Sequence, residues 1–513
     1  MRSAPPSLLA LTLVLACGDD LPQTPDVTST GPDGSGSGPA TTEGTGADST
    51  AAAPDMGTPP PVGCVVDPLP AATQWPGIQD DGSTILVNGR LTDSYGDRVL
   101  LDGYGFDVAV HPTAQVAYVT TASREDRRLY VIDRNTQAVV QDIDRQEAYY
   151  GLQVSPDGSR LYASNGVPTG IEVFDIAADG TVTSAGEVPV GGWTAGMAIS
   201  PDGGTLWVAS FDANRITEID TATLTVTRLI APGLQPWDIV YLPGRNELWS
   251  TGFGDEGLSI YDLTADEVAA TLPLPTSPSM MAVAEDESQV FVSVTGADTI
   301  VAVDTQTRTV ATTTAVAETD FVDSRGQPLP HSNVSALWLD GPSDRLYAAR
   351  GSDSAVGVFE ASTLTPLGSI PTQWYPTGVA LSPDGSQLVV SEMRANGSRS
   401  RVLGDPDDHG TYRGGASFID LTSFELADAT NDVVSNFRRP LETAAAPECG
   451  DDFPLPLDYE GSPVIEHVIL IVNENQTFDA LFGASGEELG VEADPDFLRW
   501  EPAITVNKRA LAA

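Results

Sequence analysis

The residues best suited to chemistry stand together near the C-terminal end of the chain. Residues 464–472 form a near-continuous apolar run, typical of strands that are buried on both faces of a parallel sheet. Glu474 and Asn475 follow within three residues. Open α/β sheets bind their ligands at the carboxyl ends of such strands. The pattern therefore places a carboxylate and an amide where a ligand would bind, and by itself it leaves the ligand open.

Cys17 is the second chemically distinctive residue. It follows an apolar run over residues 8–16 that is too short to span a bilayer, which indicates a signal peptide over residues 1–16. Val14-Leu15-Ala16-Cys17-Gly18 resembles the bacterial lipobox, whose cysteine is acylated and becomes the mature N-terminus. The resemblance implies a membrane anchor at Cys17. The alternative is an ordinary signal peptide with a chance cysteine.

Residues 17–63 follow with Thr, Pro, Gly, Ser, Ala and Asp and hardly any large apolar side chain. Such a segment cannot bury enough apolar surface to fold. We therefore expect a disordered tether, which would let a folded domain stand off the membrane.

A strand-turn-strand unit recurs seven times in the middle of the chain. It is clearest at residues 378–391, where alternating apolar runs flank a Ser-Pro-Asp-Gly turn. A third strand follows in each copy and ends in an acid, at intervals of 42, 45, 42, 42, 56 and 60 residues. A strand-only repeat of about 40 to 45 residues is the signature of β-propeller blades. We interpret the acids as structural turn caps, at Asp133, Asp175, Asp220, Asp262, Asp304, Glu360 and Asp420.

The sequence thus predicts an all-β fold, a seven-bladed propeller over residues 83–440. Apolar material within residues 83–101 is expected to supply the missing outer strand of the last blade, because closing the ring removes exposed strand edges. A linker at 441–463 and a short α/β segment at 464–513 follow.

One face of the propeller receives two long insertions, residues 316–334 and 393–414. Loops of that length in regular repeats usually bind or cover something. Aromatic residues precede the first strands on the same face, where they serve either packing between blades or a ligand rim. The candidate ligand face comprises Trp193, Trp237, His331, Trp374, Tyr375 and His409.

The four histidines are widely spaced and show no metal-ligand pattern, so we expect solvated loop residues. The formal charge of −47, from 72 acids against 25 bases, would repel phosphate backbones and argues against a nucleic-acid partner. A solvated acidic shell is the simpler reason for this charge.

Cys64 and Cys449 stand just before and just after the predicted ring, in a chain sent to an oxidising compartment. Since ring closure brings the two ends of a propeller together, we predict a disulfide between them. Two free thiols are the alternative.

The blade sequences at residues 161–165 and 206–210 resemble the YVTN-type propeller repeats of secreted and surface bacterial proteins. Residues 473–483 resemble the opening of the bacterial phosphoesterase family of the alkaline-phosphatase superfamily, and residues 504–512 resemble its next segment, with Val506 in place of the usual proline. Residues 373–378 and the insertion at 393–414 resemble proteins in which a YVTN-type propeller is fused to such a phosphoesterase. This resemblance implies a site built on Glu474 and Asn475 around zinc, manganese or calcium.

The nucleophile and the remaining metal ligands of that family lie downstream of these segments, so we expect them beyond Ala513 and expect this chain alone to be inactive. The leading functional prediction is a lipid-anchored, monomeric, extracytoplasmic propeller whose parent architecture hydrolyses phosphate esters. The alternative is a surface or periplasmic module that binds a protein, a glycan or an envelope polymer. A third hypothesis is that the propeller is itself an enzyme, such as a lactonase or a quinoprotein.

Replacing the lipidated cysteine tests the anchor. The Cys17→Ala protein should appear in the soluble fraction, because the variant has no acylated sulfur, and globomycin should leave the wild-type precursor unprocessed. Fractionation followed by immunoblotting measures both effects. Membrane retention of Cys17→Ala equal to that of the wild type would contradict the lipoprotein interpretation.

Overall fold

A computed structural model describes residues 77–78, 83–86, 90–123, 127–145, 148, 150–165, 170–254, 256–317, 332–396 and 413–437. These residues form seven four-stranded antiparallel sheets, one small three-stranded sheet and one α-helix. Cys17, Cys64, Cys449, Glu474 and Asn475 lie outside the described residues, so the predictions made for them remain predictions.

The small sheet comes first along the chain, and a separate strand follows it. Their bounds are β1 (Gly77–Ile78), β2 (Thr84–Ile85), β3 (Leu91–Thr92) and β4 (Asp97–Asp102).

The seven larger sheets are the blades of a propeller. Each begins with an innermost strand, and these strands contact one another in a closed circle. Blade 1 contains β5 (Tyr104–Val110), β6 (Val116–Ala122), β7 (Arg127–Asp133) and β8 (Val139–Asp144). Blade 2 contains β9 (Leu152–Val154), β10 (Arg160–Ser164), β11 (Ile171–Ile176) and β12 (Val182–Val188). Blade 3 contains β13 (Thr194–Ile199), β14 (Thr205–Ser210), β15 (Arg215–Asp220) and β16 (Thr225–Ile230).

Blades 4 to 7 continue the same order. Blade 4 contains β17 (Pro236–Leu242), β18 (Glu247–Gly252), β19 (Gly257–Asp262) and β20 (Glu267–Pro273). Blade 5 contains β21 (Pro278–Val283), β22 (Gln289–Val294), β23 (Thr299–Asp304) and β24 (Thr309–Ala315). Blade 6 contains β25 (Val334–Asp340), β26 (Arg345–Arg350), β27 (Ala355–Glu360) and β28 (Thr365–Pro371). Blade 7 contains β29 (Trp374–Leu381), β30 (Gln387–Ala395) and β31 (Arg413–Asp420), with β4 as its outer strand.

The hydrophobic core lies between adjacent blades. Apolar residues alternate along the middle strands, so each blade presents one row to the blade before it and another to the blade after it. Val292 and Val301 of blade 5, for example, pack against Trp249 and Leu258 of blade 4. Equivalent clusters occur between other neighbouring blades. The ring is therefore held by blade-to-blade burial.

The Ser-Pro-Asp-Gly turns form as predicted. In blade 2 the Asp157 carboxylate accepts hydrogen bonds from Ser155 Oγ at 2.6 Å and from Ser159 N at 3.0 Å. These bonds, with the hydroxyl of Ser155 foremost, lower the pKa of Asp157 to about 2. Gly158 has φ +71°, and Gly385 in the equivalent turn has φ +73°, a left-handed conformation that favours glycine.

Six of the seven acids at the ends of third strands cap the following turn, as the sequence predicts. Asp304 Oδ1, for example, accepts from Thr307 N at 2.7 Å and from Thr307 Oγ1 at 2.8 Å. Asp175 is the exception, because it lies within β11 and faces Arg160 at 3.4 Å instead. Asp179 accepts from Thr181 in that blade's longer turn.

Ring closure follows the predicted route. β4 pairs antiparallel with β31, from Asp97 opposite Phe418 to Asp102 opposite Arg413. Residues 99–101 thus supply the outer strand of blade 7, whereas Ile85 lies in β2 of the small sheet.

A helix follows blade 7, where the sequence pattern predicted only strands and a linker. This helix, α1 (Leu426–Phe437), packs along β28 of blade 6, where Thr430 Oγ1 accepts a hydrogen bond from Ser369 N at 2.9 Å. Gly368 makes room, since a Cβ there would lie 2.5 Å from Thr430 Oγ1. Among the described residues, no helix is long and apolar enough to cross a membrane.

Two adjacent leucines in β4 allow a test of ring closure through this strand. Leu101 is 2% exposed and packs into the core between blades 7 and 1, whereas Leu100 is 41% exposed. Leu101→Ala should lower the free energy of unfolding by about 3 kcal/mol, since it removes buried methyl groups and leaves a cavity, while Leu100→Ala should cost only about 0.5 kcal/mol. Urea unfolding followed by tryptophan fluorescence measures the difference. Equal losses would show that β4 does not close the ring.

Candidate functional site

The candidate site lies where the innermost strands begin. Each first strand has a residue immediately before its first core position, and this residue varies from blade to blade. In blades 1 to 7 it is Asp107, Gly151, Gly196, Asp238, Met280, Ser335 and Gly378. Two of the seven positions therefore carry a carboxylate.

Asp238 in blade 4 bridges three blades. Its Oδ2 accepts a hydrogen bond from Met281 N of blade 5 at 2.8 Å. Its Oδ1 lies against Gly196 of blade 3, where a Cβ would approach to 2.2 Å. Only glycine on the preceding blade leaves room for this carboxylate.

Asp107 in blade 1 repeats this arrangement. Its Oδ2 accepts from Leu152 N of blade 2 at 2.8 Å, and its Oδ1 accepts from Val108 N at 2.8 Å. Gly378 of blade 7 faces it, where a Cβ would lie 3.1 Å from Oδ1. Each carboxylate thus accepts a hydrogen bond from the backbone of the following blade and packs against a glycine of the preceding blade.

Both carboxylates titrate near neutrality. Burial raises the pKa of Asp107 to about 6 and that of Asp238 to about 7, against the backbone N–H groups that favour the charged forms. The charge of Asp107 raises the pKa of Asp238 further. The pair can therefore hold or release a proton at physiological pH.

An aromatic cluster includes the residues that precede these carboxylates in the sequence; we call the surface formed by Phe106, Tyr150, Phe211, Trp237 and Phe253 the channel mouth. Trp237, directly before Asp238, lies 5.5 Å from Tyr150, 5.7 Å from Phe211 and 6.4 Å from Phe253 between ring centroids. Phe106, directly before Asp107, lies 6.2 Å from Tyr150. Tyr150 is buried, and the other four rings are half-buried. Four blades thus contribute rings to one partly open apolar surface.

Tyr150 also connects this surface to blade 7. Its hydroxyl donates to Thr377 O of blade 7 at 2.5 Å. A residue of blade 2 therefore contacts blades 1, 4 and 7 together.

The predicted ligand face is only partly brought together. Trp237 belongs to the channel mouth. Trp374 is half-buried beneath Arg394, whose guanidinium carbon lies 5.0 Å from its ring centroid and 5.8 Å from that of Tyr104, a cation–π arrangement. Tyr375 packs over Gly351, where a Cβ would lie 2.8 Å from its ring.

The other three residues of the predicted ligand face are Trp193, His331 and His409. Trp193 is half-buried, and its backbone N donates to Asp212 Oδ1 at 2.5 Å. His331 and His409 lie outside the described residues. The two long insertions connect β24 to β25 and β30 to β31, so both leave and re-enter the ring on the face of the channel mouth.

His111 corrects the expectation of solvated histidines. It is 5% exposed, and its Nδ1 accepts from Thr113 N at 3.0 Å and Ala114 N at 2.7 Å. Its Nε2 therefore carries the proton and donates to Gly158 O at 3.0 Å. Its hydrogen bonds link blade 1 to the turn of blade 2, which is a structural role.

Sequence reasoning missed Asp107, Asp238, Phe106, Phe211 and Phe253. A comparison of repeat positions could have found the acids, since both interrupt a position otherwise held by Gly, Met or Ser. Phe211 and Phe253 each follow the last residue of a second strand. Within the described part of the chain, no three His, Cys, Asp or Glu side chains converge as a metal site would require.

The raised pKa of Asp238 predicts a pH effect on stability. Between about pH 4, where an unfolded aspartate releases its proton, and about pH 7, only the folded protein keeps the proton, so the wild type loses stability as pH rises. Asp238→Asn cannot ionise, so its Tm should improve relative to the wild type from pH 5 to pH 8. Parallel thermal melts measure this, and a constant difference would contradict the assignment.

Comparisons with known proteins agree with the propeller architecture. Residues 107–251 match the family described as SMP-30/Gluconolactonase/LRE-like region, a match that covers Asp107 and Asp238. No curated protein sequence matches the chain. Among solved structures, Kuenenia stuttgartiensis hydrazine synthase is similar, with TM-score 0.51 and 18% identity over 63% of this chain and 96% of that one. The chain is therefore a seven-bladed β-propeller that carries, over residues 107–251, the sequence pattern of SMP-30/gluconolactonase-like propellers.

Proposed function

We propose that this protein is an extracytoplasmic ligand-binding propeller, held at a bacterial envelope membrane through lipidated Cys17, and that its ligand binds at the channel mouth. The observation that carries the proposal is the gathering of five aromatic rings from four blades around Trp237. Ligand sites are typically concave and aromatic, with a few placed polar groups. Asp107 and Asp238, which directly follow Phe106 and Trp237 in the sequence, would supply such groups.

The charge of the protein narrows the ligand class. A chain of formal charge −47 repels anionic ligands. Aromatic faces bind apolar C–H surfaces, and carboxylates accept hydrogen bonds from hydroxyl groups. A neutral glycan carries both features, since its rings have apolar faces and hydroxyl donors at their edges.

Lactone hydrolysis is a second candidate function, favoured by the match at residues 107–251 to a family whose description names gluconolactonase. A carboxyl group with a pKa near 7 is suited to act as a general base on water. Asp238 would act as this base, and the negative charge of Asp107 would keep the pKa of Asp238 raised.

The C-terminal motif supports a further activity for the parent architecture. Glu474 and Asn475 resemble the metal-site residues of bacterial phosphoesterases, where a divalent cation activates the reaction. In this proposal the propeller presents or covers the site of that domain.

Replacement of the central tryptophan tests the glycan proposal. Trp237→Ala should weaken the binding of a neutral oligosaccharide, such as a cello- or chito-oligosaccharide, by about tenfold or more, which corresponds to about 1.4 kcal/mol. Trp338→Ala is the matched control, because Trp338 is 37% exposed on blade 6 and takes no part in the aromatic cluster. Calorimetric titration measures both affinities.

The wild type and its variants also distinguish glycan binding from lactone hydrolysis. No binding of any neutral glycan by the wild type, or equal binding by Trp237→Ala, would contradict the glycan proposal. Hydrolysis of a lactone by the wild type, abolished in Asp238→Asn, would favour the second candidate instead.

A further inference from the structure

Each blade has equivalent residues beneath the loop that enters it from the preceding blade; we call the space between them, whether filled or open, the interblade pocket. Its walls are three positions that strand register relates from blade to blade, one at the end of the second strand, one on the third strand and one in the loop after the preceding outer strand. In blade 4 these are Gly252, Ser259 and Pro232, as the strand registers place them. The equivalent residues differ from blade to blade.

In blade 6 an arginine fills this pocket. Arg350 holds the position of Gly252 and is fully buried. Its Nη1 donates to Val316 O at 2.5 Å and its Nη2 donates to Ser369 Oγ at 2.9 Å. Val316 is the loop residue equivalent to Pro232.

Blades 2 and 3 use arginines as well. Arg215 holds the position of Gly257 in blade 3, and its Nη2 donates to Val190 O and to Gly191 O, the former being the carbonyl equivalent to that of Pro232. In blade 2, Arg145 comes from the loop itself and binds Glu172 Oε2 at 2.8 Å and Asn165 Oδ1 at 2.5 Å. Three blades thus place a guanidinium group in the same space.

Blade 4 leaves that space unfilled. Glycines at 252 and 257 and serines at 250 and 259 replace larger side chains such as Val292, Val294 and Val301 of blade 5. A cavity of about 250 Å³ results, lined also by Pro232, Leu234, Pro236, Leu258, Thr271 and Pro273.

This cavity is larger than the voids that ordinary packing leaves. It is also marked by an unpartnered polar atom, since Ser259 is only 8% exposed and its Oγ has no hydrogen-bond partner in the described part of the chain. Leu234, at the rim, is 51% exposed, so a small molecule can reach the cavity from solvent.

We propose that the interblade pocket of blade 4 binds a small organic guanidinium compound. The guanidinium group takes the place that Arg215 and Arg350 occupy in their own blades, donating to the Pro232 carbonyl and to Ser259 Oγ. Its aliphatic chain lies against Leu234 and Pro273. A guanidinium ion is weakly hydrated and presents several donors in one plane, and the formal charge of −47 favours a cation.

Agmatine, with neutral N-butylurea as the uncharged control, tests the proposal by calorimetric titration of the full chain. The wild type should bind one agmatine, and N-butylurea should bind at least about tenfold more weakly, since it lacks the charge. Ser259→Val, which copies Val301 of blade 5, should fill the pocket and abolish binding. Thr217→Val, the matched control at the equivalent position of blade 3, should leave the affinity unchanged, because Arg215 already fills that pocket.

Arg215→Ala provides an independent test, because it empties the pocket of blade 3. A second agmatine should then bind, raising the stoichiometry from one to two, and agmatine should raise the Tm of this variant. Agmatine binding that survives Ser259→Val would reveal general attraction to the acidic surface and overturn the proposal. The absence of binding to the wild type would overturn it as well.

Discussion

The structure depends on one pairing between distant parts of the chain, that of β4 with β31. Residues 97–102 complete a blade whose other strands end at Asp420, so the two ends of the ring are hydrogen-bonded to each other. Without this strand, blade 7 would expose an unpaired edge, and unpaired edges aggregate or exchange partners. The closed circle also brings blade 7 against blades 1 and 2, which the Tyr150–Thr377 hydrogen bond and the Gly378–Asp107 contact require.

Within the closed ring, each junction between blades solves the same packing problem with different residues. Blade 5 fills its interblade pocket with valines, blade 6 with Arg350, and blade 7 with Glu392, which holds the position of Gly252. Glu392 is fully buried, and burial raises its pKa to about 8. The Ser417 hydroxyl and the Gln373 amide face its carboxyl group and oppose that shift. Equivalent positions of this repeated fold thus accommodate apolar side chains, an arginine or a protonated glutamate.

The aspartates of this protein show how position decides the chemistry of one residue type. Asp384, in an exposed turn, accepts bonds from Ser382 and Ser386, and these lower its pKa to about 2. Asp238 also accepts backbone bonds, but burial outweighs them and raises its pKa to about 7. Water solvates the first carboxylate and is excluded from the second. A carboxyl group of the second kind can exchange a proton near neutral pH, and this property distinguishes Asp107 and Asp238 from the many surface acids.

The sequence by itself determined the blades. Hairpins and turn caps depend on interactions within about ten residues or on alternation along a strand, and such local patterns are legible in the sequence. The closing strand was predicted because a closed ring leaves no exposed strand edge. The sequence also predicted a ligand face that includes Trp237. It could not indicate that Trp237, Tyr150, Phe211 and Phe253 meet, because they come from three different blades. Nor could it show that Asp238 is buried between neighbouring blades, or that both ring nitrogens of His111 are hydrogen-bonded. Those facts arise when the ring closes, since only the tertiary structure decides which side chains lose water and which backbone groups face them.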